Sequence, residues 1–231
     1  MQGLKRAVLQ EPQGGRGEAC QVPRASTDPD PVQADDCPGS KHHFVTFFIL
    51  ISFVTVLQAT QLDLLPTGEQ VLMFREEDCS RDAQKQLKDL LRLVNKELGS
   101  APQADPSLTG FRIFVMVHSA DGHVLGCLVG QLLTEAYRSP RGALASLDEM
   151  VLDRTCQAGV NRIWVREVDR RTGVAVRLLD GMRANMIFNY ILDKDKIAFS
   201  QPTYAGQRLA ETYCGRSDIL VYRGRHQLAA N

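Results

Sequence analysis

The stretch Asn161-Arg-Ile-Trp-Val-Arg-Glu-Val-Asp-Arg-Arg-Thr-Gly-Val-Ala-Val-Arg-Leu-Leu-Asp-Gly-Met-Arg183 changes its periodicity partway along. Ile163-Trp164-Val165 is a short apolar run of the kind a buried strand shows. Glu167 to Thr172 is a polar turn carrying two adjacent arginines, Arg170 and Arg171. Beyond Gly173 the apolar residues fall at helical spacing: Val174, Leu178 and Met182 recur every fourth position, and Ala175, Leu179 and Met186 widen the stripe. A strand that delivers an Arg-x-x-Gly-x-Ala turn into a helix suits an anionic diphosphate. The helix start leaves backbone N–H groups without partners, small residues let a ligand approach the main chain, and arginines add positive charge. The same residues also fit an ordinary strand–turn–helix with solvated arginines.

Working downstream, Lys196-Ile-Ala-Phe-Ser200 reads as a strand. Pro202 and a helix over about Thr203–Tyr213 follow, with Gly215 as the stop. Asp218-Ile-Leu-Val-Tyr222 is the last strand. Upstream, Gln70–Arg75 is a strand, and Asp78-Cys79-Ser80 offers N-caps for a helix over about Arg81–Leu98. Leu87, Leu90, Leu91, Val94 and Leu98 share one face of that helix, and Gly99 ends it. Phe111–Val117 and His123–Leu133 form a β-hairpin across Ser119-Ala-Asp-Gly122. His118 and His123 flank that turn and are expected to be solvated. Tyr137–Ala158 is a polar excursion with a weak helical stripe (Leu147, Met150, Val151). The expected order is β-α-β-β-β-α-β-α-β, an α/β fold built on a mixed sheet.

Lys+Arg and Asp+Glu are each 27 in 231 residues, so the formal net charge is zero and no electrostatic case for direct nucleic-acid binding arises. Six scattered cysteines form no close pair, which points to reduced thiols inside a cell. Residues 1–41 hold five of the ten prolines and few apolar residues, the composition of a disordered tail. Asp35-Asp-Cys37 and Lys41-His-His43 hint at metal ligands, but Cys20 and Cys37 lie too far apart for a two-cysteine, two-histidine finger, and no metal is expected. Phe44–Leu57 is uncharged for 14 residues. As a helix it would extend about 21 Å, short of the roughly 30 Å hydrocarbon core, so a buried strand pair is favoured over a membrane anchor. Residues 1–66 are therefore read as an atypical N-terminal region and 67–231 as the folded domain.

Taken in order, Arg162-Ile-Trp-Val165, the Arg-rich loop, Ile197-Ala-Phe-Ser200 with Pro202-Thr203, Gly206, and Tyr213-Cys-Gly215 closing on Leu220-Val-Tyr222 resemble the C-terminal domain of the cohesion-establishment (Eco-type) N-acetyltransferases. Gly68-Glu-Gln-Val-Leu72, Asn95-Lys-Glu-Leu-Gly99 and Gly126-Cys-Leu128 extend the match upstream. The resemblance implies the acyl-CoA N-acyltransferase (GNAT) fold, and acetyl transfer from acetyl-CoA to lysines on the SMC head subunit of cohesin, in the nucleus, to establish sister chromatid cohesion. Any chromatin association would be indirect. Carried over by position, Ile163, Trp164 and Val165 would pair their main chain with the pantetheine arm. Arg170, Arg171, Thr172, Gly173, Val174, Ala175 and Val176 would hold the diphosphate, and Thr203, Tyr204 and Ala205 would lie along the cofactor.

Three departures stand out. The family's zinc finger is not recognisable before Gln70, where the tail and the apolar run stand instead. Some members carry Ser before Arg-Ile-Trp and Asp after Ala-Phe-Ser, whereas this chain has Asn161 and Gln201, neither of which can be a general base. The excursion between the hairpin and Ile163 is short. A lysine amine is only about one part in 2,500 neutral at pH 7, a handicap of roughly 4.6 kcal/mol that a base must help overcome. Asp180, on the helix where family members carry an acid, is the preferred candidate over Glu167. Ser200 and Gln201 would orient the amine, with Asn161 beside them, and a backbone N–H of Ile163–Val165 would polarise the thioester carbonyl. Three readings stay open: a cohesin acetyltransferase, a catalytically impaired relative that binds cohesin or chromatin partners, and a membrane-tethered acetyltransferase.

Overall fold

A computed structural model of the chain describes residues 59–99, 106–139 and 150–223. The Pro-rich tail, the 44–57 run, Leu147 and the possible metal ligands of residues 35–43 lie outside them. Among the described residues no helix is long and apolar enough to cross a membrane, and no cluster of His, Cys, Asp or Glu could hold a metal ion.

The described strands form one sheet: β1 (Thr60–Leu64), β2 (Glu69–Arg75), β3 (Phe111–His118), β4 (Val124–Leu132), β5 (Ala136–Arg138), β6 (Val151–Asp153), β7 (Ala158–Val165), β8 (Ile197–Ser200) and β9 (Leu220–Tyr222). Their spatial order is β1-β2-β3-β4-β7-β8-β9-β5-β6. Pairing is antiparallel from β1 to β7, parallel at β7–β8 and β8–β9, and antiparallel again at β9–β5 and β5–β6. The helices are α1 (Arg81–Glu97), α2 (Val174–Asn185) and α3 (Tyr204–Cys214).

Both faces of the sheet are covered, which is why its central strands read as continuous apolar runs instead of alternating ones. Leu72 and Phe74 of β2, with Ile113, Val115 and Val117 of β3, pack against Leu87, Leu90, Leu91 and Val94 of α1. Val71, Met73, Phe114 and Met116 point the other way, into a cluster with Val174, Leu178, Leu179 and Met182 of α2 and Ala210 and Tyr213 of α3. Helix α1 starts where Ser80 Oγ accepts from Ala83 N at 3.3 Å, and Gly99 follows its end at φ 69°. Helix α3 is capped by Thr203, whose Oγ1 accepts from Gly206 N at 3.2 Å.

Two expectations need correcting. The folded region does not begin at residue 67: β1 adds an antiparallel edge strand before it, and Leu62 and Leu65 pack on the α2 cluster. The excursion after the hairpin is bounded by strands, since β5 pairs with both β9 and β6 and so extends the sheet. Val151, assigned to a helical stripe, lies in β6 and is exposed. Three-residue strands are too short for a periodicity to reveal.

Candidate active site

Strand β7 changes partners along its length. Against β8 it pairs only at Ala158, Gly159 and Val160. From Arg162 to Val165 it pairs with β4 alone, while Ser200 at the end of β8 pairs with Tyr222 of β9. A slot therefore opens between the outer edge of β7 and the end of β8. It opens at a β-bulge, where the β4–β7 register shifts between Val129 and Gly130 and leaves Asn161 as the extra residue. The bulge also exchanges faces. Ala158 and Val160 belong to the α2 side, but beyond Asn161 it is Ile163 and Val165 that pack there, and Trp164 turns into the α1 side.

Along the slot, Arg166 N donates to Leu125 O of β4 at 2.9 Å. By strand alternation Trp164 also presents its main chain to β4, and Ile163 and Val165 present theirs to the slot. The Val165 carbonyl accepts from Arg170 Nε at 3.2 Å on that side. Of the three residues expected to pair with a pantetheine arm, only Ile163 and Val165 can do so. The Trp164 main chain serves the ladder, and its indole is buried at 6% exposure.

The edge leads to the Arg-rich turn. Asp169 O accepts from Thr172 Oγ1 at 2.6 Å, Arg171 sits at φ 66° and Gly173 at φ 94°. The left-handed conformation at Gly173 suits a residue without Cβ, and the space a Cβ would enter is open. The first bond of this helix runs from Arg177 N to Gly173 O at 3.1 Å, so the N–H groups of Val174, Ala175 and Val176 have no partner within the helix. No acidic residue occupies the first turn, and Arg170 and Arg171 are exposed beside it. Arg170 to Val176 thus form a continuous anion-accepting strip at the mouth of the slot. Across the slot, β8 ends at Ser200. Gln201 at φ 37° turns the chain into Pro202 and the start of α3, where Thr203, Tyr204 and Ala205 lie.

The proposed catalytic residues separate into two groups. Asn161, Ser200 and Gln201 stand where the strands part. Asn161 Oδ1 accepts from Arg162 Nη1 at 2.5 Å, and Ser200 is half-buried. Asp180 is elsewhere. Its Oδ1 accepts from Tyr213 Oη at 2.6 Å and pairs with Arg183 at 3.3 Å. Lys194, which precedes β8, stands over the Tyr213 ring at 4.4 Å. This group sits at the start of β8, the end away from Ser200, and Asp180 holds α2 and α3 together. Burial, reinforced by the Asp180 bond, raises the Tyr213 phenol well above its ordinary range. Glu167 is exposed in the turn at the diphosphate end.

One residue that the sequence reading passed over belongs to the first group. Tyr222 is only 6% exposed, and its ring lies over Gly159, where a Cβ would come within 2.7 Å of Cε1. Its hydroxyl is buried and meets no hydrogen-bond partner in good geometry, and the Asn161 side chain is the group within reach of it, with Arg162 and Cys156 nearby. Burial raises its pKa well above the ordinary phenol range, opposed by Asn161 and Arg162. The signal was the register of Gly159 with Ala198, small residues that leave room for a ring, and register is not written in a single sequence. Cys127, opposite Trp164, is fully buried, and burial pushes its thiol up to about 12, which removes it as a nucleophile.

A mixed sheet that splits beside a bulge and delivers its free edge to a helix N-terminus through an Arg-rich turn is the GNAT-like acetyltransferase arrangement. Residues 154–222 match the family model described as ESCO1/2 acetyl-transferase. Human N-acetyltransferase ESCO1 is 30% identical over 174 residues, 68% of this chain and 20% of its own length. N-acetyltransferase ESCO2 of Danio rerio is 33% identical over 159 residues, 63% of this chain and 26% of its own, and N-acetyltransferase ECO1 of Debaryomyces hansenii is 32% identical over 148 residues, 58% and 50% respectively. Among solved structures, the xEco2 acetyltransferase domain bound to a K105-CoA conjugate superposes with a TM-score of 0.63 at 29% identity, covering 72% of this chain and 98% of that one. The chain carries an acetyltransferase domain of the Eco type, and it spans between a fifth and a half of the length of these three relatives.

Proposed function

We propose that this chain transfers the acetyl group of acetyl-CoA to a lysine side chain, with the SMC head subunit of cohesin as protein substrate and the nucleus as its place of action. The observation that carries the reading is the free edge of β7 leading without interruption to the unpaired N–H groups of Val174–Val176. In this reading the diphosphate lies on Arg170–Val176. The pantetheine arm adds to the edge at Ile163 and Val165, and Thr203, Tyr204 and Ala205 form the opposite wall. The thioester then reaches the bulge at Asn161. The acceptor amine attacks there, with Ser200, Tyr222 and Asn161 around it to orient its N–H groups. The likeness to a domain solved with a lysine–CoA conjugate supports the placement.

Titration of acetyl-CoA into the protein tests the cofactor site. Gly173→Asp would place a carboxylate among the phosphates and should abolish binding. Gly173→Asn, uncharged and tolerant of the left-handed conformation, should retain most of it. Undiminished affinity in the Asp variant removes the loop assignment. Transfer of labelled acetyl to a purified cohesin head, against free lysine, tests the substrate.

A second reading, a cohesin-binding relative with impaired catalysis, draws on Asn161 and Gln201, because neither amide can accept the proton that the acceptor lysine must lose. It requires binding to the cohesin head without acetyl transfer.

A further inference from the structure

The β3–β4 hairpin closes on a charged cluster, not on the solvated histidines that its sequence led us to expect. The rings of His118 and His123 stack with centroids 5.5 Å apart and planes within 9°. Asp121 Oδ1 lies 2.5 Å from His123 Nδ1 and 3.4 Å from His118 Nδ1. On its far side, His123 Nε2 is 3.0 Å from Arg166 Nη2. A guanidinium can only donate, so Nε2 is the acceptor there and the ring proton sits on Nδ1, facing Asp121. Arg166 is the first residue beyond β7. Its Nε meets Asp169 Oδ2 at 2.5 Å, and the Asp169 carbonyl accepts from Thr172, the residue before Gly173. Contacts thus run unbroken from the hairpin tip to the start of α2.

The charged groups around His123 can be named element by element. The turn supplies Asp121, the end of β3 supplies the stacked His118, and the chain beyond β7 supplies Arg166, with Asp169 behind it. Behind His118 lies its register partner Glu69 of β2, engaged by Arg177 of α2 at 2.6 Å and by Thr67 at 3.0 Å.

We propose that the Asp121–His123–Arg166–Asp169 chain positions the diphosphate loop and does so only while the His123 ring is neutral, so that protonation of a residue outside the loop loosens the cofactor's seat. The inference rests on the assignment of the diphosphate to Arg170–Val176. A proton on Nε2 removes the acceptor that Arg166 uses and sets a second cation against its guanidinium. The turn Glu167–Asp169 then keeps its main-chain bond from Arg166 N to Leu125 O but loses its side-chain tie to the hairpin tip, and Thr172 and Gly173 are held less firmly where they aim the helix N–H groups.

The test is calorimetric titration of coenzyme A into the full chain at pH 7.5 and at pH 5.8. Wild type is compared with His123→Gln, which offers Arg166 an uncharged acceptor, and with His123→Leu, which offers none. The wild-type affinity is expected to fall between the two pH values by about tenfold more than that of the Gln variant, the scale of one lost charge-assisted hydrogen bond. The Gln variant records only the titration of the cofactor and of other groups. The Leu variant should bind weakly at both pH values. Equal pH dependence in wild type and the Gln variant, or wild-type affinity in the Leu variant at pH 7.5, overturns the proposal. Absence of binding by wild type at pH 7.5 overturns instead the diphosphate assignment beneath it. Thermal unfolding of each protein at both pH values shows whether the differences belong to folded molecules.

Discussion

Asn161 and Gln201 confine the chemistry of this domain. An amide neither accepts nor releases a proton near neutral pH, so at both positions the side chain can orient an amine but cannot deprotonate it. Gln201 also occupies φ 37°, a backbone region that aspartate and asparagine adopt more readily than glutamine. Gln201→Asp should therefore fold at least as well and place an ionisable group at the end of β8. We expect turnover on a lysine substrate to rise by about 10²-fold or more, the usual contribution of a general base, with the affinity for acetyl-CoA unaltered. Steady-state rates across pH 6–9 check this, and a variant no faster than the parent would place the base elsewhere. Tyr222→Phe removes one oxygen and keeps the ring over Gly159. If that hydroxyl orients the amine, kcat falls by about tenfold while the unfolding midpoint and acetyl-CoA affinity stay within error. The Arg-rich turn and the helix start after it were legible in the sequence because glycine after paired arginines and before a helical stripe is a local signal. The orientation of Trp164 was not, because it depends on a bulge defined against β4, and the engagement of His123 depends on Arg166, 43 residues away.

Elements show the same division. Strands β2, β3, β4 and β8 and all three helices follow from runs, caps and stops within a few residues, and the structure departs from those readings mainly at their ends. Strands β5 and β6 carry only three residues each and exist through contacts with each other and with β9. Arg138 of β5 donates from Nη2 to Asp153 Oδ2 of β6 at 2.7 Å and from Nη1 to Asp218 O, before β9, at 3.0 Å. Thr155 bonds, with Arg138 next, draw the Asp153 carboxyl down to about 2. A carboxylate whose pKa is lowered on folding stabilises the folded form above its unfolded value near 3.9, and that contribution is lost as pH falls through about 2. Asp153→Asn should therefore destabilise the protein by about 1 kcal/mol at pH 7, after allowing for the screening of a partly exposed pair. The difference from wild type should shrink in urea titrations below pH 4. A pH-independent difference would assign the loss to the neutral hydrogen bonds of the β5–β6 turn.

For the whole molecule, the question is how much of the chain the catalytic fold needs. Strand β1 forms one edge of the sheet, and its Leu62 reaches α2, where a Cβ at Gly181 would lie 3.9 Å from Leu62 Cδ1. Helix α2 carries the Arg-rich turn at its start, so β1 supports the proposed binding strip from behind although it touches none of it. Its apolar residues follow a Pro-rich tail and an apolar run, a context that placed residues 60–64 in the atypical N-terminal region and set the domain boundary at 67. A chain beginning at residue 59 retains every packing contact described among residues 59–99, 106–139 and 150–223. A chain beginning at Thr67 loses the edge strand together with Leu62 and Leu65. Removing two partly buried leucines and exposing the edge of β2 should remove about 2 kcal/mol, or about 5 °C in unfolding midpoint for a domain of this size. Because α2 loses part of its backing, acetyl-CoA affinity should fall in the shorter chain even at temperatures where it stays folded. Differential scanning calorimetry and cofactor titration on the two chains measure both quantities. Equal midpoints and equal affinities would show that β1 is dispensable and that the domain begins at β2.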